Sequence, residues 1–193
     1  MNKEQIREEM KQKRSALSPE ERKLYDQAML ESFLQLKEYL ECQSLFAYVS
    51  FGTEPDTHQL IYQALRDGKK VYVPRVEGPE MEFYRITSLE GFKTSKYGIS
   101  EPLPSKSERF HYLGENQLML MPGLAFDQYG GRIGFGAGYF DKYLEGYLPE
   151  KFCKVALAYE FQIKESLEIE QHDIPTDILV TPSRIIDCRK SKG

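Results

Sequence analysis

Hydrophobic positions along this chain follow two alternating patterns. Some segments repeat apolar residues at spacings of three and four, as amphipathic helices do, and others are short apolar runs typical of buried strands. The helical pattern predicts helices over residues 3–15, from 19 to about 40, from Asp56 or Thr57 to Gly68, and over 139–147. The strand pattern predicts strands at 44–49, 71–73, 82–86, 117–121, 155–159 and 178–181, with a short edge at 185–186.

Local signals set several of these boundaries. Ser18, Pro19 and Glu21 predict a helix start, with Ser18 as the N-cap and Glu21 completing a capping box. The core face of that helix is expected to carry Leu24, Ala28, Phe33, Leu36 and Leu40. Pro74 is expected to end the strand at 71–73. The segment 93–109 has a glycine, two prolines and little periodicity, which predicts an ordered loop.

Helices therefore alternate with short apolar strands, and this order predicts an α/β fold. We expect residues 1–193 to form a single three-layer domain, with a mostly parallel sheet flanked by helices on both faces. In such sheets ligands bind beyond the carboxyl ends of the strands. Candidate ligand-binding residues follow the predicted strands at that edge: Glu54, Arg75, Met81, Glu160 and a glycine-rich segment after the 117–121 strand.

Composition narrows the class of function. The chain has 193 residues, of which 40% are hydrophobic and 29% charged, and its net charge of −4 argues against an extended nucleic-acid surface. Cys42, Cys153 and Cys188 are odd in number and lack a Cys-x-x-Cys spacing, which favours reduced thiols in the cytoplasm. No segment has the pattern of a signal peptide or a membrane span, and the three histidines form no zinc motif.

The most informative segment runs from 121 to 141. It places five glycines between Gly130 and Gly138, with Arg132 among them and Asp141 just inside the following predicted helix. Dense glycine permits a tight turn or the close approach of a ligand to backbone N–H groups. Two interpretations stay open: a phosphate-binding loop with Arg132 as a fixed cation, or a glycine-rich hairpin with a structural arginine. The order strand, hairpin, loop and helix differs from both the Rossmann and the P-loop motifs.

A basic face lies on the first predicted helix. Lys3, Arg7, Lys11 and Arg14 are spaced by four, four and three residues and therefore share one side of the helix. This face is either an ordinary solvated surface or a row of cations presented to a polyphosphate.

Six sequence blocks, spread over nearly the whole chain, resemble motifs of one known family. The most specific block runs from Pro122 to Asp127 and continues through Gly138 to Asp141. The others are Lys3-x-x-x-Arg7, Glu54-x-x-Thr57, Val73-Pro74-Arg75 followed by Met81, Tyr97 to Pro102, and His172-Asp173-x-Pro175-x-Asp177. Together they resemble the 5-formyltetrahydrofolate cyclo-ligase family. The chain departs from the family pattern at Ala137, Phe140 and Tyr97, which we interpret as tuning of substrate affinity.

The resemblance implies a reaction that depends on ATP and Mg²⁺. In it, 5-formyltetrahydrofolate is cyclised to 5,10-methenyltetrahydrofolate with release of ADP and phosphate. Phosphorylation of the formyl oxygen activates the formyl carbon for attack by N10, and such phosphoryl transfer depends mainly on positioning and charge neutralisation. The implied partners are the folate and ATP, with neither nucleic acid nor membrane, and the protein is expected to be a monomer or a weak dimer.

The same resemblance implies roles for individual residues. The implied catalytic residues are Arg132, Lys3 and Arg7. The implied ATP-binding residues are these three and Gly134, Phe135, Gly136, Ala137, Gly138 and Tyr139. The implied folate-binding residues are Val49, Glu54, Met81, Tyr97, Phe135 and Tyr139, with Glu54 orienting the formyl group. The implied Mg²⁺ ligands are Asp141 and Asp173, with Asp177 as the alternative to Asp173.

Structural roles compete with these assignments. Glu54 is also compatible with an ordinary loop carboxylate, and Met81 with core packing. Asp173 and Asp177 are also compatible with turn or cap residues, and Tyr139 with partial core packing. Two other functions stay open: a sugar-phosphate or CoA-binding enzyme on a similar α/β scaffold, and a non-catalytic nucleotide-binding regulator. The first leaves the basic helix unexplained, and the second needs no folate-side residues.

Overall fold

A computed structural model describes residues 1–103, 108–111, 116–147 and 151–192 of the chain. The helices are α1 Lys3–Ser15, α2 Pro19–Leu34, α3 Lys37–Glu41, α4 His58–Arg66 and α5 Tyr139–Glu145. The strands are β1 Ser44–Phe46, β2 Lys70–Glu77, β3 Glu80–Ile86, β4 Lys93–Thr94, β5 Ser100–Glu101, β6 Glu108–Arg109, β7 Gln117–Leu120, β8 Ala125–Asp127, β9 Arg132–Ile133, β10 Phe152–Leu157, β11 Ile163–Lys164, β12 Ile178–Val180 and β13 Ile185–Asp187. Short 3₁₀ turns occupy Glu160–Gln162 and Lys190–Lys192.

The central sheet has the strand order β13-β12-β10-β7-β1-β2-β3-β6 among the described residues. The strands from β12 to β2 run parallel, and β13, β3 and β6 join antiparallel at the two edges. Strands in the parallel part, such as β7 and β12, are buried along their whole length, which explains why they read as apolar runs. A second sheet, β11-β8-β9, and the hairpin β4-β5 are separate from the central sheet.

Successive residues of the central strands face two different layers. Leu45 belongs to a core cluster shared with α2, α3 and α4, whereas the next residue, Phe46, belongs to a cluster shared with α5. The predicted α/β fold, with a mostly parallel sheet and helices on both faces, is confirmed. The helix α1 packs elsewhere, because Met10 contacts the small sheet through Ala125 and Ile133. No described helix combines the length and the apolar composition that a membrane span needs.

The predicted helix over 19–40 has the right start and the wrong end. Its capping box at Ser18–Glu21 is present. Leu36 then takes an extended backbone conformation, so that α2 ends before it and α3 begins after it. The residues predicted for the core change accordingly. Leu24 and Leu40 are 67% and 63% exposed, and Tyr39 is buried instead.

The strand β2 continues through Pro74, which sequence reasoning placed at its end. The Tyr72 carbonyl accepts from the residue that follows β1, and the Val76 N–H donates to Glu101 and not to β3. Pro74 lies between Tyr72 and Val76, so its nitrogen points to the same side of β2 as these two groups. At this position the neighbouring strand β1 has already ended, at Phe46. The missing N–H therefore interrupts no ladder.

Three other predicted segments differ in extent. The segment 93–109 was expected to be a loop, but it contains the hairpin β4-β5 and the edge strand β6. Residues 104–107, with Pro104, lie outside the described residues. The strand predicted at 44–49 pairs only over β1, and the strand predicted at 155–159 begins earlier, at Phe152.

Asp127 holds the β8–β9 hairpin in shape. Its buried carboxylate accepts the backbone N–H groups of Tyr129 at 3.0 Å, Gly131 at 2.8 Å and Leu167 at 2.8 Å. A buried carboxylate is tolerated when such donors replace water. The contact to Leu167 also ties the hairpin to the segment that follows β11, so the hairpin is fixed at both of its sides.

Gly130→Ala is expected to destabilise the protein by about 2–4 kcal/mol, because a strained backbone and a steric clash add together. Gly130 has a φ of +92°, and an added Cβ would lie 2.4 Å from the Thr176 carbonyl oxygen. Gly78→Ala is the matched control, since Gly78 has a φ of +62° and open space around it. Only about 1 kcal/mol should be lost there. Urea unfolding of both variants measures the difference, and equal losses would contradict the steric role of Gly130.

Candidate functional site

One cavity of about 830 Å³ lies at the carboxyl ends of β1, β2 and β7. Every residue assigned above to ATP, folate or Mg²⁺ lines it: Lys3, Arg7, Val49, Glu54, Met81, Tyr97, Arg132, Gly134, Phe135, Gly136, Ala137, Gly138, Tyr139, Asp141 and Asp173. Glu160 and Arg75, which were predicted to lie at the same edge of the sheet, are not among the described residues that line the cavity. Glu160 bonds to Ser183 and Arg184, and Arg75 donates to the Pro102 carbonyl at 3.0 Å.

Arg132 lies at the base of the glycine-rich loop, and its side chain is 6% exposed. Its Nη2 donates to both oxygens of Asp141 at 2.9 Å, and its Nη1 donates to the Pro122 carbonyl at 3.0 Å. The Arg132 Nε is buried without a hydrogen-bond partner among the described residues. Asp141 also accepts the Ile174 N–H at 3.0 Å, so the pair is anchored to two segments of the chain. Arg132 is thus a cation of fixed position at the cavity wall.

The cations on the basic face of α1 lie in different surroundings: Lys3 and Arg7 line the cavity, whereas Arg14 is buried. Lys3 bonds to Glu170 at 3.0 Å and to Asp173 at 3.4 Å, and the bond to Glu170 is the main cause of the raised pKa of Lys3. Arg7 donates from Nε to the Gly134 carbonyl at 2.9 Å. Lys11 is exposed to solvent, as the interpretation of this face as an ordinary solvated surface predicts. The two cations nearest the N-terminus therefore line the cavity, and Arg7 contacts the glycine-rich loop. Their role toward ATP stays a prediction.

Glu54 is presented by a turn after β1. The Glu54 Oε2 accepts the Phe51 N–H at 3.0 Å, which fixes the direction of the side chain. The turn is supported by a pair of buried hydroxyl groups, because Ser50 and Thr57 exchange two bonds of 2.9 Å between backbone N–H and side-chain oxygen. Burial raises the pKa of the Glu54 carboxyl, and the Phe51 N–H and the charge of Arg14 only partly oppose it.

Arg14 was expected on a basic surface, but it is buried behind the cavity wall. Its Nε donates to the Thr53 hydroxyl at 3.1 Å, next to Glu54. Its guanidinium carbon lies 5.6 Å from the ring centre of Phe135 in the glycine-rich loop. Burial lowers the pKa of Arg14, and Glu54 opposes that shift most strongly. Arg14 thus contacts both the turn that carries Glu54 and the glycine-rich loop. The sequence signal that could have placed Arg14 near the site is its spacing of seven residues from Arg7, which puts both on one face of α1.

Apolar and aromatic side chains form the other wall of the cavity. Val49 and Met81 are buried, whereas Tyr97 and Phe135 are 58% and 45% exposed. Met81 belongs to a core cluster and lines the cavity at once, and Tyr139 packs against the same cluster. The core roles and the site roles considered for these two residues are therefore compatible. A flat, largely apolar ligand can lie against this wall.

The structure separates the three C-terminal candidate carboxylates by position. Asp141 and Asp173 line the cavity. Asp177 lies in a second cleft of about 580 Å³, which Asp173 lines as well. The Asp177 Oδ2 accepts the Lys154 N–H at 2.9 Å and lies 3.1 Å from the Lys154 ammonium. Within the described part of the chain, no three side chains of the metal-binding types come together.

Three carboxylate residues of the cavity lining were missed by sequence reasoning: Glu145, on α5, Glu170 and Glu101. Glu170 bonds to Lys3, and Glu101 lies at the end of β5 with its carboxylate in the lining. None of the three directly follows a central strand, so the rule that placed Glu54 could not find them. For Glu101, the only available signal was its place in the Tyr97–Pro102 block.

Comparison with known proteins agrees with this geometry. The family model described as the 5-formyltetrahydrofolate cyclo-ligase family matches residues 1–182. A probable 5-formyltetrahydrofolate cyclo-ligase from Caenorhabditis elegans is 31% identical, and the match covers 92% of this chain and 91% of the relative. The 5-formyltetrahydrofolate cyclo-ligase of Escherichia coli K12 is 29% identical, with coverage of 91% and 98%. These names support a cyclo-ligase activity.

Two solved structures share the fold. The 5,10-methenyltetrahydrofolate synthetase of Aquifex aeolicus superposes with a TM-score of 0.83 at 34% identity, covering 98% of this chain and 94% of that one. A 5,10-methenyltetrahydrofolate synthetase from Mycoplasma pneumoniae gives a TM-score of 0.69 at 24% identity, with coverage of 94% and 99%, which supports the fold alone. Because the family model spans nearly the whole chain and a relative above 30% identity covers it, the chain belongs to the 5-formyltetrahydrofolate cyclo-ligase family of enzymes.

Proposed function

We propose that this protein uses MgATP to convert 5-formyltetrahydrofolate to 5,10-methenyltetrahydrofolate, with release of ADP and phosphate. The observation that carries the proposal is that one cavity combines two chemically different sets of lining residues. One set is cations and a glycine-rich loop, and the other is aromatic and apolar side chains with the carboxylate of Glu54. Such a cavity suits two ligands of different chemistry, a polyphosphate and a flat heterocycle, better than the single ligand of a nucleotide-binding regulator.

The reaction requires activation of a formamide. The formyl oxygen attacks the γ-phosphorus of ATP, and ADP leaves with the electrons of the broken P–O bond. N10 then attacks the formyl carbon, its proton is lost, and phosphate departs with the former formyl oxygen, leaving the methenyl bridge. In phosphoryl transfer the protein contributes mainly positioning and charge neutralisation.

At the phosphate end, Lys3, Arg7 and Arg132 supply positive charge, and the backbone of Gly134 to Tyr139 forms the cradle. The positive φ of Gly136 and Gly138 allows that backbone to approach a ligand closely. Lys3 and Arg132 each contact carboxylates, and an incoming polyphosphate competes with them for these cations. Arg132 stays oriented by the Pro122 carbonyl while it does so.

At the folate end, Phe135, Tyr139, Met81 and Val49 pack against the heterocycle, and Tyr97 covers it from the β4–β5 hairpin. Glu54 orients the substrate near its formyl group. Because Glu54 already receives the Phe51 N–H on one oxygen, its other oxygen is the acceptor for a substrate N–H. Arg14 positions Glu54 through Thr53 and is not itself part of the lining.

The carboxylates of Asp141 and Asp173 suit a hard cation such as Mg²⁺, which prefers oxygen ligands. Both also bond to cations and N–H groups of the protein, so the protein alone would bind Mg²⁺ weakly, and ATP phosphates and several waters would supply the remaining ligands. The ion neutralises phosphate charge when bound. Asp173 rather than Asp177 is the second carboxylate in this proposal, because Asp173 lines the main cavity as well as the second cleft, whereas Asp177 lines only the second cleft.

A direct test is the appearance of methenyltetrahydrofolate absorbance when 5-formyltetrahydrofolate and MgATP are mixed with the protein. The product should form with ADP in equal amounts, and omission of either substrate should abolish it. A thermal-shift panel of ATP, folates, sugar phosphates and CoA separates the alternatives, since a ligand that binds only the folded state raises its melting temperature. Stabilisation by a sugar phosphate or CoA, without product formation from the folate, would contradict the proposal.

In the same assay Arg132→Ala should lower turnover by two or more powers of ten, since losing one fixed transition-state charge removes roughly 3–4 kcal/mol. Arg109→Ala is the matched control, because Arg109 is half-exposed on β6 and pairs with Glu82. Thermal melting of both variants gives the folded fraction at the assay temperature, and turnover is then expressed per folded protein. Near-normal turnover of Arg132→Ala would remove this residue from the mechanism.

Glu54→Gln should raise stability while lowering turnover. The raised native pKa means that ionisation of Glu54 is less favourable in the folded than in the unfolded chain, whose pKa is about 4.3. Its contribution to stability is therefore lost as pH rises from the unfolded pKa through the native one. In urea unfolding, the free energy of unfolding of the variant relative to that of the wild type should be higher at pH 8 than at pH 4. The exposed Glu80→Gln is the control, and a gain independent of pH would refute the burial argument.

Asp141→Asn and Asp173→Asn should raise the Mg²⁺ concentration needed for half-maximal rate, because an amide keeps the shape and loses the charge. The shift should be smaller for Asp173, if its contact runs through water. Asp177→Asn is the control: it weakens the pair with Lys154 and should leave the Mg²⁺ requirement unchanged. The measurement is initial rate against free Mg²⁺ at fixed ATP. A shift in the Asp177 variant alone would mean that the wrong C-terminal carboxylate was assigned.

A further inference from the structure

Glu101 is a carboxylate of the cavity to which the proposal above gives no role. It ends β5, the residue is 7% exposed, and its side chain lines the cavity. Its Oε1 accepts the Val76 N–H of β2 at 3.1 Å. This bond fixes the side chain against the central sheet and leaves Oε2 for another donor.

No described residue supplies that donor. Glu101 forms no ion pair with a described cation, and Arg75, on the neighbouring strand, is used by the Pro102 carbonyl and lies 3.7 Å from Glu77. A carboxylate removed from water without a cation and without its full set of hydrogen bonds is costly. The Glu101 Oε2 is not among the fully buried unpaired atoms, so it is open to the cavity, where a ligand that brings N–H donors can reach it.

The strand order places Glu101 relative to the other groups. The strands β7, β1 and β2 are consecutive in the sheet. The glycine-rich loop follows β9, and the bond from Arg132 to the Pro122 carbonyl ties it to the end of β7. Glu54 follows β1, and Glu101 is bonded to β2. Glu54 thus lies between the phosphate end and Glu101 in strand order. Around Glu101 the lining is mainly apolar, with Val76, Met81 and Ile99.

We propose that Glu101 is a specificity-determining residue that accepts hydrogen bonds from the aminopyrimidine edge of the pterin, N3–H and the 2-amino group. The inference rests on the proposed function, because it assumes that the folate occupies this end of the cavity. The formyl group sits on N5 of the other ring of the pterin. Placing N5 near Glu54 and the phosphates directs the pyrimidine ring toward Glu101, and a carboxylate matches its two adjacent donors.

Glu101→Gln separates recognition from structure. The amide oxygen can still accept the Val76 N–H, but the charge is lost, and the amide N–H₂ then faces the donors of the ligand. Hydrogen bonds to a charged group are worth roughly 1.5–3 kcal/mol, so the KM for 5-formyltetrahydrofolate should rise about ten- to a hundredfold while the KM for ATP stays constant. Glu80→Gln, an exposed carboxylate at the β2–β3 turn, is the control and should change neither KM.

A substrate analogue gives a test that needs no variant. In 2-desamino-2-methyl-5-formyltetrahydrofolate a methyl group replaces the 2-amino donor. Wild-type protein should bind this analogue at least tenfold more weakly in thermal-shift titrations and use it with a correspondingly higher KM. Glu101→Gln should discriminate between the two compounds by less than about threefold, because the two changes remove the same contact.

The outcomes distinguish this inference from the proposed function. If wild type turns over both compounds with equal KM, or if Glu101→Gln keeps the wild-type KM, Glu101 does not read the pyrimidine edge, although the reaction stands. If wild type discriminates between the compounds in binding but forms no product, the reaction is wrong and the recognition by Glu101 stands. If wild type binds neither compound, both proposals fail.

Discussion

The buried carboxylate of Asp127 is the contact on which the rest of the site depends. It gathers three backbone N–H groups, from Tyr129, Gly131 and Leu167, and so closes the β8–β9 hairpin. Arg132 begins β9, and the glycine-rich loop follows directly. A shift of this hairpin would move Arg132 away from Asp141. One satisfied carboxylate in the core thus determines where the cation and the loop lie.

The cavity uses two different ways of holding charge. Lys3 and Arg132 are paired with acidic side chains, so their positions are set before a ligand arrives. Glu54 and Glu101 are each held by one backbone N–H, and each keeps acceptor capacity for a ligand. Paired cations are suited to exchange with a polyanion, whereas buried carboxylates with spare lone pairs are suited to selecting a donor. At Glu54 this arrangement costs stability, because burial disfavours the charged carboxylate and raises its pKa.

Sequence reasoning succeeded where local chemistry decides the result. The capping box at Ser18–Glu21 forms as predicted, and the glycine-rich hairpin has the predicted order of elements. It failed where contacts with residues distant in the sequence decide the local structure. Leu36 interrupts a helix that periodicity extends, and Pro74 is tolerated because β1 has already ended beside it. Arg14 has the pattern of a surface cation, but the Thr53 hydroxyl and the Phe135 ring create a buried place for it.

The sequence by itself determined the class of fold, the family and the residue types of the site, because these follow from periodicity, turn chemistry and motifs within short windows. It could not determine which charges pair. Lys3 and Asp173 are 170 positions apart along the chain, and Asp141, the partner of Arg132, is anchored by the Ile174 N–H from 33 positions away. Nor could it reveal that Glu101 is buried without an ion-pair partner among the described residues, while Asp177 pairs with Lys154. Those properties depend on which groups the folded chain removes from water together, and only the tertiary structure decides that.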